Sequence, residues 1–153
     1  MPTTAQEARA TQASQSADAL GALVGAWQSD TTDGVSALSS CVWTPEHDAV
    51  LCEQKIRSPA GERRAINLFT FDPAQERFVF YVLSRPGDPM NPVPLSIQGQ
   101  IWIYGGTMVG QDGLFHRTVN DFSKAEVYLW RQEASTNGLD WMVGARGQSR
   151  RLR

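Results

Sequence analysis

The fold is decided by two short stretches, LVGAW at residues 23–27 and WMVGAR at residues 141–146. The first has the Gly-x-Trp pattern that opens a strand, and the second lies in a last strand that further arginines follow. A Trp of the first strand and an arginine of the last can meet only if the sheet closes on itself. A guanidinium lying flat on the indole contributes about 0.5–2 kcal/mol. The sequence therefore predicts a closed barrel in which Arg151 covers Trp27.

Turn signals rich in Gly, Pro and Asp divide the rest of the chain at intervals of roughly 8–15 residues, with alternating β-rich runs between them. This spacing favours a sandwich or barrel over βαβ units. We predict a mainly β protein. Residues 1–18 form a flexible or partly helical arm, and residues 19–153 form a single closed antiparallel up-and-down barrel of about 8–10 strands. Four prolines exclude a central strand from residues 85–94, which we interpret as a loop serving as a lid or a subunit contact.

Length and charge exclude several classes of protein. A chain of 153 residues suits one domain. The net charge of -2 lacks the basic excess of a nucleic-acid-binding protein, and no apolar run approaches the ~20 residues of a membrane helix. Residues 1–18 have no apolar core of a signal peptide. We expect a cytoplasmic protein as written, or a periplasmic or secreted one if a signal is removed before Met1.

Cys41 and Cys52 flank a turn at residues 45–48. If the hairpin folds so that Thr44 faces Ala49, the two cysteines lie directly opposite each other. Opposed Cβ atoms are then ~4.5–5.5 Å apart, close to disulfide geometry. Two alternatives stay open: a pair of buried thiols, or a cross-strand disulfide that would indicate an oxidising compartment. Metal binding is disfavoured, because two thiolates with the histidine of the turn would strain a tetrahedral site.

Residues with catalytic potential are few. The two histidines are His47, on a turn, and His116, in a strand, where a general base and a surface residue are the alternatives. The chain has no Gly-x-Ser-x-Gly elbow, phosphate loop or His-Glu-x-x-His motif, and its carboxylates are dispersed. We therefore predict no catalytic residue, no metal and no cofactor.

A series of short motifs carries a family resemblance. After the Gly-x-Trp of residues 25–27 come Trp-Thr-Pro at 43–45, Phe-Asp-Pro-Ala at 71–74, Arg-Phe at 77–78, Ile-Trp at 101–102, Arg-Thr at 117–118 and Glu-x-Ser-x-x-Gly-x-x-Trp at 133–141. In this order and spacing, residues 20–153 resemble the lipocalin-like (calycin-type) barrels of the DUF1579 group, a family of unknown function. Haem-binding relatives of this barrel class carry Gly-x-Trp-x-Gly-x-Gly. Here Gln-Ser-Asp follows the Trp, which argues against a haem site.

Aromatic and charged residues of the strands are candidates for a site inside the barrel. We expect six residues to line a ligand-sized cavity: Trp43, Glu53, Tyr81, Trp102, Tyr104 and Arg117. The aromatic residues would form its walls. We place Arg117 inward, helped by the family resemblance. An inward arginine needs a partner because an unpaired buried charge is costly, and either Glu53 or the anionic head of a ligand would serve.

Three functions are compatible with such a barrel. We favour a binding module that takes a small hydrophobic or aromatic molecule into the interior. The first alternative is a metal-independent cavity enzyme, similar to lyases and isomerases among calycin-type barrels, with Tyr81, Tyr104, Arg117 and Glu53 as candidates by residue type. The second is a filled barrel that acts as a structural or interaction protein. Self-association into a homodimer would support it. We expect no nucleic-acid or membrane partner.

Overall fold

Ten antiparallel strands close into one barrel in the computed structural model, which describes residues 17–31, 33–83, 87 and 89–153. Each strand pairs with its neighbours in chain order, and the first strand pairs with the last. The predicted closed up-and-down barrel is confirmed. The strands are β1 Gly25–Asp30, β2 Ser36–Trp43, β3 Ala49–Ser58, β4 Gly61–Asp72, β5 Arg77–Leu83, β6 Pro92–Gln98, β7 Ile101–Val109, β8 Phe115–Asp121, β9 Val127–Ser135 and β10 Met142–Leu152.

One end of the barrel is closed by a short 3-10 helix, Ala19–Leu23, which precedes β1. Leu20 and Leu23 are buried on the barrel side and pack in one hydrophobic cluster with Trp102 and Phe122. The helix therefore seals this end of the barrel without a long loop. Of the arm predicted for residues 1–18, residues 1–16 lie outside the described part of the chain.

The first and last strands are locked together at this closed end. The Arg151 guanidinium lies 4.2 Å from the centroid of the Trp27 ring, and its Nη1 donates to the Val24 carbonyl at 2.5 Å. The Trp27 Nε1 donates to the carbonyl of Leu23 at 2.8 Å, so the indole also holds the end of the 3-10 helix. The predicted contact between Trp27 and Arg151 is confirmed.

The cross-strand cysteines form a disulfide. Cys41 pairs with Cys52 in the β2–β3 register, and their sulfur atoms are 2.06 Å apart. Because successive side chains of a strand point to opposite faces, the pair shares the inner face with Val50 of β3 and faces the interior. The disulfide alternative is confirmed over the pair of free thiols.

The proline-rich segment and the last strand differ from the prediction. The exclusion of residues 85–94 from the sheet was wrong for Pro92 and Pro94, which begin β6 and pair with β5. The register of β6 with β7 starts only at Leu95, so the prolines sit where one side of the strand is unpaired. Such an edge tolerates residues without a backbone N–H. The second difference is β10, which continues to Leu152 instead of ending at Arg146.

Neither a helix able to cross a membrane nor a metal cluster is found in the part of the chain that the structure describes. There, the helical segment is too short for a membrane-crossing helix. No group of three His, Cys, Asp or Glu side chains in the described ranges is arranged to hold a metal ion.

Candidate functional site

The interior of the barrel is hollow. A cavity of about 410 Å³ extends from Leu23 and Trp27 at the closed end to Arg63 and Val82 towards the other end. Arg63 is exposed to solvent and also lines the cavity, so the cavity opens at this second end, which we call the mouth. The cavity is lined by Leu23, Trp27, Ser39, Cys41, Cys52, Gln54, Ile56, Arg63, Ala65, Asn67, Phe69, Phe80, Val82, Tyr104, Thr118, Asn120, Tyr128 and Gln132.

One wall of the cavity is aromatic. Phe69 and Phe80 are opposite each other in the β4–β5 register, with ring centroids 4.8 Å apart. Phe80 in turn meets Tyr104 edge-on at 5.3 Å. Trp102 lies behind this wall at 6.3 Å from Phe69 and is only 1% exposed, so it supports the wall without facing the cavity. Rings held in this way by neighbouring rings present a rigid apolar surface.

A second aromatic group lies nearer the closed end. The Tyr128 ring is 4.9 Å from the Trp27 ring and meets it edge-on. Phe122 packs behind Tyr128 at 4.7 Å. The indole that locks the barrel closed therefore also forms part of the cavity floor, and structure and site share this residue.

Neutral polar side chains form the remaining walls. The Gln54 Nε2 donates to the Ser39 Oγ at 3.2 Å, and the Asn120 Nδ2 donates to the Tyr104 Oη at 3.2 Å. Among the described residues, no fully buried side-chain nitrogen or oxygen is left without a hydrogen-bond partner. Further neutral groups that line the cavity are Asn67, Thr118 and Gln132. The cavity is thus more polar than the aromatic lining expected from the sequence.

The two cavity tyrosines are held in their neutral form. Burial raises the pKa of Tyr104 well above its ordinary value, nearby Tyr128 raises it further, and the hydrogen bond from Asn120 offsets only part of this. Burial also raises the pKa of Tyr128, while the hydroxyls of Ser149 and Ser29 lower it in part. Because the Tyr104 oxygen accepts a hydrogen bond from Asn120, its own O–H remains free to donate into the cavity.

Three of the six expected cavity residues lie at or behind the interior. Tyr104 lines the cavity, and Trp102 supports it from behind. Trp43 is at the closed end, where its ring stacks on His47 at 3.8 Å. The Trp43 ring also covers Gly21 of the 3-10 helix, so it seals the barrel and does not line the cavity.

The other three expected residues lie on the outer face. Tyr81 is between Phe80 and Val82, which line the cavity, so the alternation of the strand turns Tyr81 outward. Glu53 is likewise exposed between two lining residues. Arg117 precedes the lining residue Thr118 and also turns away from the cavity.

The partner of Arg117 is Glu133, directly across the β8–β9 register, and not Glu53. The Arg117 Nε is 2.5 Å from one carboxylate oxygen of Glu133, and the Arg131 Nε is 2.6 Å from the other. The Arg117 guanidinium also lies 4.0 Å from the centroid of the Trp141 ring. A smaller space of about 370 Å³ at the rim touches Arg117 and Glu133. Arg117 is therefore paired with a carboxylate that it shares with Arg131, and it is stacked on Trp141.

Sequence reasoning missed Arg63 and the amide side chains of the cavity. Arg63, Ala65, Asn67 and Phe69 alternate along β4 and share the inner face. Phe69 is buried, and this periodicity would have indicated the whole set once one member was known to face inward.

A second space lies outside the interior. It has a volume of about 640 Å³ and shares no lining residue with the cavity. Its walls come from β9 and β10 with the end of β1: Asp30, Thr31, Leu129, Trp130, Arg131, Val143, Arg146, Gly147 and Gln148.

No protein-family model matches the chain. A comparison with curated protein sequences finds no match either. The resemblance to the DUF1579 barrels therefore stays a prediction, and the function has to be argued from the chemistry of the cavity.

Proposed function

We propose that this protein is a binding module that takes a small aromatic molecule into the interior of its barrel, and that it is a lipocalin-like barrel of the DUF1579 type. The observation that carries the proposal is the cavity of about 410 Å³ with its mouth at one end. Ligand pockets typically have volumes of roughly 300–1,000 Å³, with apolar walls and a few placed polar groups. The cavity has the size and the mixed lining of such a pocket.

The lining favours a ligand with an aromatic part. The rings of Phe69, Phe80 and Tyr104 give an apolar surface on which a ring stacks or packs edge-on. The Tyr104 hydroxyl and the amides of Asn67 and Gln132 offer both donors and acceptors to polar atoms of the ligand.

The cavity enzyme receives less support from the geometry. The proposed group of Tyr, Arg and Glu does not come together, because Glu53 and Tyr81 face outward and Arg117 is bound to Glu133. Of the two candidate tyrosines, Tyr104 lines the cavity, and burial raises its pKa well above its ordinary value. A phenol held in this way is a poor general base at neutral pH.

The filled barrel is also less well supported. Barrels that are filled by their own side chains leave no interior space for a ligand. Here Ala65 and Ser39 are small residues on the inner face, and the interior retains about 410 Å³. The homodimer that belonged to this alternative stays a prediction.

Calorimetric titration with a neutral probe, 6-phenylhexanamide, tests the proposal. We expect saturable one-to-one binding and a higher melting temperature at saturating probe, because a ligand that binds only the folded state stabilises it. The substitution Gln54→Phe fills the cavity and should weaken binding at least about tenfold. Gln28→Phe is the matched control on β1, at a residue that does not line the cavity. The proposal fails if the wild-type protein does not bind the probe, or if folded Gln54→Phe binds it equally well.

A further inference from the structure

We propose that the ligand of this cavity is an anion, an aromatic molecule that carries a carboxylate or a similar acid group, and that Arg63 binds its charge at the mouth. The inference rests on the proposed function, since it assigns the chemical class of the molecule that the cavity takes.

Arg63 is placed on the inner face at the mouth. It lies on β4 opposite Ile56 of β3, and both residues line the cavity. Asn67 and Phe69 continue the same face towards the closed end. The side chain is exposed, and the described residues give it no hydrogen bond or ion pair. Its guanidinium is therefore available to a molecule in the cavity.

Among the described residues that line the cavity, Arg63 is the only one that carries a charge. The other lining residues are apolar, aromatic, hydroxyl-bearing or amide side chains, and none is a carboxylate. A single cation facing a neutral interior selects for a negative group, because a second cation would be repelled and a neutral group would leave the guanidinium unpaired. Arg117 at the adjoining rim is held on the outer face by Glu133 and does not line the cavity.

The charge of the surrounding hairpin also favours an anionic ligand. Residues 55–64 of the β3–β4 hairpin contain Lys55, Arg57, Arg63 and Arg64 against one carboxylate, Glu62, an excess of three positive charges. The whole chain has a net charge of -2, so this hairpin is far more basic than the chain as a whole. A cationic hairpin beside the mouth raises the local concentration of anions and their rate of association.

The one carboxylate of that hairpin, Glu62, pairs with its neighbours and does not neutralise the charge of Arg63. The Arg57 Nε donates to Glu62 at 2.8 Å, and the Lys55 Nζ is 3.9 Å away. The hydrogen bond from Arg57 and the charge of Lys55 hold the pKa of Glu62 below its ordinary range. Register places Arg63 opposite Ile56, on the face away from this pair.

The distance between the cation and the aromatic wall limits the shape of the ligand. Phe69 is six positions after Arg63, and a strand rises about 20 Å over that length. The arginine side chain covers part of this span. A ring at Phe69 and Phe80 with an acid at Arg63 therefore needs a linker of several bonds between them. A molecule such as 6-phenylhexanoate meets this requirement.

Paired calorimetric titrations with 6-phenylhexanoate and its neutral isostere 6-phenylhexanamide test the inference at pH 7. We expect the acid to bind about tenfold more tightly than the amide, because a charge-assisted hydrogen bond is stronger than a neutral one. Arg63→Gln should abolish this preference by weakening the acid far more than the amide. Arg64→Gln is the matched control, since it removes the same charge from the adjacent, outward position. It should retain most of the preference.

The outcomes separate the two proposals. Equal binding of acid and amide to the wild-type protein, or an unchanged preference in Arg63→Gln, would overturn the anionic ligand and leave cavity binding intact. If Arg64→Gln lowers the preference as much as Arg63→Gln, the rim acts only by long-range attraction and Arg63 is not the anchor. If neither probe binds, cavity binding itself is overturned, and the anion with it. Both substitutions are at exposed residues, so the variants should fold, which circular dichroism checks.

Discussion

At the scale of single residues, the closure of the barrel depends on a glycine. Gly25 has a φ of +130°, and a Cβ at this position would lie 2.4 Å from the Arg151 Nη1. The guanidinium is not free to move aside, because it lies over the Trp27 ring and donates to the Val24 carbonyl. Glycine in the Gly-x-Trp pattern therefore provides the room in which the arginine reaches the indole.

Gly25→Ala should accordingly lower the free energy of unfolding by more than Gly61→Ala. Gly61 is the matched control, since its φ of +123° is similar but a Cβ there meets no atom within 4 Å. Both variants carry the strain of a positive φ, of about 1–3 kcal/mol. Gly25→Ala should cost about 1–2 kcal/mol more, from weakened cation–π and hydrogen-bond contacts. Urea denaturation measures the difference, and equal midpoints for the two variants would contradict it.

Glu133 is a buried carboxylate whose charge the structure stabilises. Its side chain is 5% exposed and bridges Arg117 and Arg131. Burial alone would raise the pKa of Glu133, but the hydrogen bonds from Arg131 and Arg117 outweigh it and the pKa lies below its ordinary range. A lowered pKa in the folded state contributes stability above the unfolded value of about 4.3, and this is lost as the pH falls through the folded pKa.

Glu133→Gln should therefore destabilise the protein at neutral pH, by about 1–3 kcal/mol, because it leaves two arginines without their shared partner. The deficit should shrink as the pH falls from the unfolded value of about 4.3 through the lower folded pKa of Glu133, because the wild-type side chain then becomes protonated as well. Urea denaturation of both proteins between pH 3 and 7 checks the prediction. A deficit that stays constant over this range would show that the charge of Glu133 is not what stabilises the cluster.

At the scale of elements, the β2–β3 hairpin carries a covalent tie. The disulfide joins residues 11 positions apart, at the floor of the cavity. Closing a loop of this size stabilises a protein by roughly 2–3 kcal/mol, chiefly by restricting the unfolded chain. Reduction should lower the free energy of unfolding by this amount, measured by urea denaturation with and without reductant. The double variant Cys41→Ala with Cys52→Ala is the control, and it should not respond to reductant.

The 3-10 helix behaves as part of the core, although it lies outside the sheet. Leu20 has no exposed surface, so Leu20→Ala should cost about 2–4 kcal/mol of stability. Leu139→Ala makes the same change at a leucine that is 81% exposed and should alter stability by less than about 0.5 kcal/mol. Thermal denaturation compares the two. Similar melting temperatures would mean that the helix does not seal the barrel.

Strand β4 shows what the alternation of side chains along a strand can and cannot predict. Its residues 63, 65, 67 and 69 share one face, and this grouping follows from sequence position. Whether that face is inside or outside does not follow, because a period of two gives the same pattern for both. The phase of β5 was likewise open, and Tyr81 was assigned to the wrong face on a correct alternation.

At the scale of the whole molecule, closure removes the edges of the sheet. The register from Ala26 with Leu152 to Asp30 with Gln148 is the seam that joins the first strand to the last. Removal of residues 148–153 should expose β1 and β9 as edge strands and abolish the cooperative thermal transition, with aggregation detected by light scattering. Removal of Arg153 alone is the control, since its side chain is 86% exposed. A truncated protein that melts as the wild type does would show that the seam is dispensable.

Most of the fold could be predicted, because turn residues and strand alternation are local features of the sequence. Turn residues, alternating strands and the spacing of the two cysteines indicated a closed antiparallel barrel and the pairing that became the disulfide. Of the six residues expected at the site, only Tyr104 lines the cavity. Arg117 shows why: an arginine among apolar neighbours finds its partner across the sheet, and the sequence does not say which strand position faces it.

The sequence by itself determined the turns and the two-residue alternation of faces, since these depend on residues close in the chain or on the regular geometry of a strand. It also indicated closure, because the Gly-x-Trp of the first strand and the arginines of the last could be recognised separately. Only the tertiary structure decided which face is interior, that Glu133 holds Arg117, and that Arg63 is left at the mouth of a hollow barrel. The physical reason is that burial and charge pairing are properties of residues distant in sequence. Which residues are buried and which charges pair is decided only when the sheet closes and fixes which side chains lie inside.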